Sequence, residues 1–201
     1  MLSIQKKIIC ILFIGCILFS TQTNAQNWDI NTLKKINPEN PNSTIWKGFS
    51  HSLYPIAIAT PVSILAAGFI KKDKALQYKG WELVGSLVIN TAITQGLKFA
   101  VDRKRPFETY PNPPNDVYPY KMDNSGSFPS GHTSTAFATA TTLSLEFKKW
   151  YVVVPAYVWA AGVGYSRIYL GEHYPTDVIA GAAVGAGSAL LSHWLSKKIF
   201  K

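Results

Sequence analysis

The chain has 201 residues, 47% of them hydrophobic and only 15% charged, with a formal net charge of +9. That charged fraction is well below the roughly 25% of ordinary soluble domains, and the length argues for a single domain. The positive surplus leaves open nucleic acid, anionic lipid or an anionic substrate as partner, or lysines retained on one side of a membrane, so the placement of the lysines has to decide.

In chain order, a targeting segment comes first. Lys6 and Lys7 form a basic start, Ile8 to Phe19 (IICILFIGCILF) is apolar, and small or neutral residues at Thr23 and Ala25 place a cleavage position after Ala25. Residues 1–25 read as a signal peptide or an N-terminal signal anchor, and 26–201 as one domain. Both cysteines, Cys10 and Cys16, lie in this segment, so a cleaved chain carries neither thiol nor disulfide. FIGC around Cys16 fits a lipoprotein signal poorly, because Phe13 is out of pattern and the apolar run continues past the cysteine.

Asn27 to Ser52 is polar, rich in Asn, Pro and Lys, and reads as a loop carrying a short amphipathic helix. Five apolar segments follow: Tyr54–Ile70, Trp81–Val101, Thr133–Phe147, Trp150–Tyr165 and Thr176–Leu195. Each is near the roughly 17–25 residues that span a bilayer. Their Thr, Asn, Gln and Gly residues suit helices packed on one another, and Gly181 and Gly185 read as ordinary helix packing. The expected architecture is an all-α, integral-membrane helical bundle of about five or six transmembrane helices. The long connection Asp102–Phe128 is dense in Pro, Asn and Tyr; loops of that length are usually functional or disordered.

If Lys6 and Lys7 start inside, the alternation of segments returns Lys71, Lys72, Lys74 and Lys79, then Lys148 and Lys149, then Lys197, Lys198 and Lys201 to the same side. That is the positive-inside pattern. It accounts for much of the +9 without nucleic acid, for which the sequence carries no zinc-finger or RNA-binding signature.

Three polar stretches fall on the opposite, outer face. KFAVDRKRP holds Lys98 and, after six residues, Arg105. PSGH runs from Pro129 to His132. SRIYLGEHYPTD holds Ser166, Arg167, His173 and Asp177. Singly, each is ambiguous: Lys98 and Arg105 fit a solvated helix end, Arg167 fits a local pair with Glu172, and His173 and Asp177 fit a helix cap with an incidental partner. Jointly they hold the groups that phosphoryl transfer needs. Charge spread over three equatorial oxygens calls for fixed cations and N–H donors. Arginine supplies planar forks and lysine a point charge. Ser130 offers a hydroxyl, Gly131 allows close backbone approach, and the helix beginning near Thr133 offers free N–H groups. One imidazole can attack phosphorus and a second can protonate the departing oxygen. A carboxylate four residues after an imidazole can fix its tautomer.

These stretches resemble the signature of the type-2 phosphatidic acid phosphatase family, a pattern shared with bacterial class A acid phosphatases and vanadium haloperoxidases. The motifs span Lys98 to Asp177 with no departure at the defining positions. The resemblance implies that Lys98, Arg105 and Arg167 bind phosphate together with Ser130 and the Gly131 amide. It also implies that His173 is the nucleophile, forming a phosphohistidine, that Asp177 orients it, and that His132 protonates the leaving group. Ser166 reads as structural. No metal or other cofactor is implied, and no carboxylate cluster for a metal is apparent. His51 and His193 lie outside the motifs and read as incidental, with His193 near the inner end.

The expected function is hydrolysis of a lipid phosphate or diphosphate, such as undecaprenyl diphosphate, phosphatidylglycerophosphate or phosphatidic acid. The expected place is a bacterial inner membrane, with the active site facing the periplasm. A soluble periplasmic acid phosphatase of the class A type is the alternative, favoured by GSFPSGHT (Gly126–Thr133) and a low mean hydropathy of +0.07. A non-catalytic anion-holding membrane protein fits less well, because nucleophile and acid are both present.

Overall fold

The computed structural model describes residues 22–111 and 117–199. Among them all regular structure is helical: α1 (Gln22–Ile36), α2 (Thr44–Ile70), α3 (Lys74–Val101), the one-turn α4 (Pro106–Thr109), α5 (Gly131–Phe147), α6 (Trp150–Tyr169) and α7 (Pro175–Ile199). Residues 1–21, with both cysteines, lie outside the described residues, as do 112–116 of the long connection and Lys201. The cleavage position expected after Ala25 falls within α1.

The stretch expected to be mostly loop is instead largely helix, and α2 starts ten residues before the apolar run. Its polar composition hides an inward face. Trp46 packs on Tyr165 with ring centroids 4.4 Å apart, Ser50 is buried, and Ser52 accepts a hydrogen bond from the Trp159 indole at 2.9 Å. In α1, Ile30 and Leu33 join Phe107, Val117, Ile168 and Tyr174 in a cluster at the end of the bundle where the three motifs gather. Helix α3 also begins before its apolar run, because the Asp73 side chain caps it by accepting from the Leu76 amide at 3.1 Å.

Short turns join α2 to α3 and α5 to α6, which makes these neighbours antiparallel. Left-handed residues end two of the helices, Asp102 at φ 43° and Lys148 at φ 48°. The lysines at the α2–α3 and α5–α6 turns and at the end of α7 therefore share one end of the bundle. The motif residues gather at the other, where α3 and α6 end and α5 and α7 begin.

The bundle is polar inside and apolar outside. Ile58, Val62, Phe69, Val88, Phe99, Val154, Val158, Ile179 and Leu190 are exposed, while Thr133, Ser134, Thr139, Thr142, Ser188 and Ser192 are buried. Helix α3 carries a ladder at every fourth position: Glu82, Ser86, Asn90 and Thr94 are buried, and Lys98 follows. Its rungs reach α5, Thr94 Oγ1 lying 3.0 Å from Ser134 Oγ and Asn90 Nδ2 donating to Thr135 Oγ1 at 3.3 Å. Such an inversion is stable where hydrocarbon, rather than water, is the outer solvent. Among the described residues three stretches are long and apolar enough to cross a bilayer: α2, Lys74–Thr109 beginning with α3, and the stretch Pro175–Lys198 of α7. Helices α5 and α6, read from the sequence as two more spans, have 17 and 20 residues. Helix α5 is the centre of the bundle, packed on α7, α6 and α3.

Gly181 and Gly185 are the places where α7 presses on α5. A Cβ at Gly181 would lie 2.6 Å from the Ser130 carbonyl oxygen, and one at Gly185 would collide with that of Ser134. The packing reading of these glycines holds, and through Gly181 the packing sets the position of Ser130.

Candidate active site

Six structural units deliver the motif side chains to one neighbourhood. Lys98 stands in the last turn of α3 and Arg105 caps α4. Ser130, Gly131 and His132 open α5, and Arg167 stands in the last turn of α6. His173 is in the α6–α7 turn, and Asp177 is in the first turn of α7. Contacts join them. The Ser130 amide donates to the Asp177 carbonyl at 3.0 Å. The His173 amide donates to the Arg167 carbonyl at 3.3 Å. Arg105 and Arg167 share the Glu172 carboxylate, at 3.1 and 3.4 Å. Ser130 closes the start of α5, its Oγ accepting from Thr133 Oγ1 at 3.0 Å. A Cβ at Gly131 would meet Lys98 Cε and Thr94 Cγ2 at 3.9 Å, an ordinary contact, so packing alone does not require glycine there.

The histidine–carboxylate pair is looser than the spacing of four suggested. His173 Nδ1 stands 3.6 Å from Asp177 Oδ2, beyond hydrogen-bond range. Ser127 lies beside both, its hydroxyl donating to Asp177 Oδ2 at 2.5 Å and lying 3.4 Å from His173 Nδ1. The reason is competition: Asp177 also accepts from the Tyr174 amide at 3.1 Å and from Arg103 Nη1 at 2.6 Å. Nδ1 therefore faces the Asp177–Ser127 pair, and Nε2 is the ring nitrogen left for chemistry. Burial drives the His173 pKa down to about 4; the Arg105 and Arg167 cations add to this, and Asp177 opposes it. The imidazole is neutral at neutral pH.

The cations are held in reserve by carboxylates. Arg105 is buried, donates to Asp123 Oδ2 at 2.7 Å and to the Ser125 carbonyl at 3.0 Å, and is bound by Glu172. Burial raises the Glu172 pKa against the pull of both arginines. Arg167 donates to Ser50 Oγ at 2.7 Å, while its buried Nε has no hydrogen-bond partner among the described residues. Lys98 Nζ donates to the Gly126 carbonyl. A cavity of about 610 Å³ opens onto this cluster, lined by His51, Tyr54, Tyr120, Asp123, His132 and Arg167, among others. The edge of Tyr54 meets the His132 ring at a centroid distance of 5.4 Å.

Several participants carried no sequence signal of their own. Arg103 is two residues before Arg105 in DRKRP, yet it clamps Asp177, Thr176 and the buried Asp29 of α1. It also stacks over the Tyr174 ring at 3.9 Å. Ser50, Ser127 and Asp123 lie outside the matched positions. Glu172, considered only as a partner of Arg167, binds both arginines. His51 lines the cavity rather than standing aside from it. His193 is at the end opposite the site, as expected, but it is not isolated. Glu82 and Glu146 meet it there, which corrects the reading that no carboxylate cluster is present: the three residues come from different helices and adjoin only in the fold.

Comparison with known proteins gives the following. The PAP2 superfamily model matches residues 79–201. Lipid A 1-phosphatase of Porphyromonas gingivalis is 35% identical over 134 residues, which are 61% of this chain and 26% of that protein. Undecaprenyl-diphosphatase of Sulfolobus acidocaldarius is 37% identical over 132 residues, 66% of this chain and 60% of that one. The chain thus spans less than two thirds of the length of either relative. The crystal structure of a transmembrane PAP2-type phosphatidylglycerolphosphate phosphatase from Bacillus subtilis superposes with a TM-score of 0.68 at 25% identity, covering 96% of both chains.

Proposed function

Because the chain belongs to the PAP2 superfamily, we propose that it is a membrane-embedded phosphatase that hydrolyses a lipid phosphate or diphosphate without a metal, through a phosphohistidine. The observation that carries this reading is the convergence of Arg105 and Arg167 on a buried neutral imidazole, with Lys98 close to both arginines and an Arg167 guanidinium N–H that has no partner among the described residues. A buried donor left unpaired costs about 1–3 kcal/mol, and a phosphate oxygen is the partner that would repay it.

In the first step His173 Nε2 attacks phosphorus. The P–N bond forms as the bond from phosphorus to the leaving oxygen breaks, the lipid oxygen of a monophosphate or the bridging oxygen of a diphosphate, and His132, protonated as the anionic substrate binds, gives that oxygen its proton. Lys98, Arg105, Arg167, Ser130 and the Gly131 amide hold the equatorial oxygens. In the second step water attacks the phosphohistidine, His132 takes the water's proton, and inorganic phosphate leaves. Asp177, with Ser127, keeps the Nδ1 proton of His173 and stabilises its positive charge in the intermediate. Arg105 must exchange the exposed Asp123 for substrate. No cofactor has a role in this scheme.

The exposed apolar belt on α2, α3, α6 and α7 favours a bilayer-bound enzyme over a soluble acid phosphatase. We place α5 and α6 across the membrane with the other long helices, the lysine-bearing end in the cytoplasm and the active site in the periplasm of a bacterial inner membrane. Residues 1–25 are its signal peptide or anchor.

The names of the relatives bring lipid A, undecaprenyl diphosphate and phosphatidylglycerophosphate forward as substrates. Phosphate release from each, and from phosphatidic acid and soluble esters, by purified protein in mixed micelles tests the proposal. Turnover of at least one lipid, unaffected by EDTA and inhibited by vanadate, is expected. Hydrolysis of soluble esters alone by a carbonate-extractable protein would overturn it in favour of the class A reading.

A further inference from the structure

At the end of the bundle opposite the active site, Glu82 of α3, Glu146 of α5 and His193 of α7 turn their side chains toward one point, with one donor atom of each within 4.8 Å of the others. His193 Nδ1 lies 2.7 Å from Glu82 Oε1 and 3.3 Å from Glu146 Oε1. The Glu82 side chain is fully buried, and those of Glu146 and His193 are 10% and 19% exposed. One ring nitrogen cannot donate well to two carboxylates at once. Lys79 forms no ion pair with either carboxylate among the described residues: its Nζ donates to the Glu146 backbone carbonyl at 2.6 Å and lies over the Phe147 ring at 4.6 Å. Two acids and one imidazole in a poorly hydrated place are short of positive charge.

We propose that Glu82, Glu146 and His193 bind a divalent transition-metal ion of the zinc class. The donor set argues for that chemistry. An imidazole nitrogen suits zinc, cobalt, nickel or copper, whereas magnesium and calcium take oxygen donors. Bonds of about 2.0–2.2 Å to nitrogen and oxygen put neighbouring ligand atoms roughly 2.8–3.5 Å apart, so the observed 2.7 and 3.3 Å already approximate the edges of a coordination shell. Two carboxylates and a neutral imidazole also balance a double positive charge. Glu82 is prepared for one-oxygen binding, because Ser196 Oγ donates to its other oxygen at 2.9 Å. The partial exposure of Glu146 and His193 gives the ion a way in. Its role is a staple that ties α3 near its start to α5 and α7 near their ends. It takes no part in the chemistry at the other end, and it stands independently of the substrate reading.

The test uses full-length protein without a polyhistidine tag, stripped with chelator in detergent and titrated with Zn²⁺, Co²⁺, Mg²⁺ or Ca²⁺. Wild type should bind one Zn²⁺ per chain, gain thermal stability as it does so, and develop a visible Co²⁺ absorption band, with no comparable response to Mg²⁺ or Ca²⁺. His193→Asn and Glu146→Gln should weaken Zn²⁺ binding on the order of tenfold to a hundredfold while hydrolysing p-nitrophenyl phosphate at the wild-type rate. Wild type that takes up no stoichiometric zinc and shows no zinc-dependent change in melting would overturn the proposal, whatever the variants do. So would unchanged zinc affinity in both variants; either result leaves a proton-sharing ion pair as the role of the three residues.

Discussion

The two ends of the bundle each hold a histidine beside a carboxylate, and they differ in the charge that surrounds the pair. At the motif end His173 and Asp177 stand among Lys98, Arg103, Arg105 and Arg167, on turns and helix termini. At the lysine-bearing end His193 stands between two glutamates, on side chains in or near the last turns of α5 and α7 and near the start of α3. Burial, with two guanidinium groups close by, keeps the His173 ring neutral. The His193 ring instead lies directly between two carboxylates. On the two proposals above, the same residue types would meet opposite ligands, and the immediate partners, more than the pair itself, would decide which.

The largest expected effect breaks that symmetry directly. His173→Ala should reduce turnover to background and abolish any trapped phosphoenzyme in rapid-quench experiments with labelled substrate, while His193→Asn keeps the wild-type rate. His132→Ala should fall between them, losing about 10²–10⁴-fold on lipid substrates and much less on p-nitrophenyl phosphate, whose leaving group departs without a proton. A normal phosphoenzyme in His173→Ala would refute the assignment of the nucleophile.

A second experiment sharpens the electrostatic half of the comparison. With a pKa lowered by burial and the arginines from 6.5 to about 4, His173 is neutral and nucleophilic above that value and protonated below it. Activity should therefore fall as the pH drops through about 4. His132→Ala acting on p-nitrophenyl phosphate leaves one imidazole to report, and its acid limb should lie well below the free-imidazole value of about 6.5. An acid limb at 6.5 would mean that neither burial nor the cations control this ring.

The smallest effect concerns Asp123, which pairs with Arg105 from a half-exposed position. Exposed ion pairs are worth about 0.2–1 kcal/mol. Asp123→Asn should accordingly tighten inhibition by inorganic phosphate roughly twofold to fivefold. Weaker inhibition would show that Asp123 supports the site instead of occupying it.

The candidate site was legible because its residues come in short runs. Ser130, Gly131 and His132 are consecutive, and Arg167, His173 and Asp177 follow one another through the end of α6, the turn and the start of α7. The apolar runs likewise marked the positions of the long helices. What escaped reading depends on contacts across the chain. Arg103 meets Asp29 over a separation of 74 residues and Glu82 meets His193 over 111, and no local pattern encodes either. The early start of α2 escaped for another reason: Trp46, Ser50 and Ser52 bury a face through aromatic and hydroxyl contacts, which an apolar periodicity does not register.

The polar ladder of α3 bears on how the protein is made. A helix entering hydrocarbon alone would show Glu82, Ser86, Asn90 and Thr94 to acyl chains, which is costly for the acid even near the start of the helix and for each unpaired hydroxyl and amide behind it. The groups that shelter those rungs, Ser134 and Thr135 of α5 and Ser192, His193 and Ser196 of α7, are synthesised later. Helix α3 therefore cannot satisfy its rungs from its own neighbour α2; their shelter forms only once α5 and α7 have followed it into the bundle.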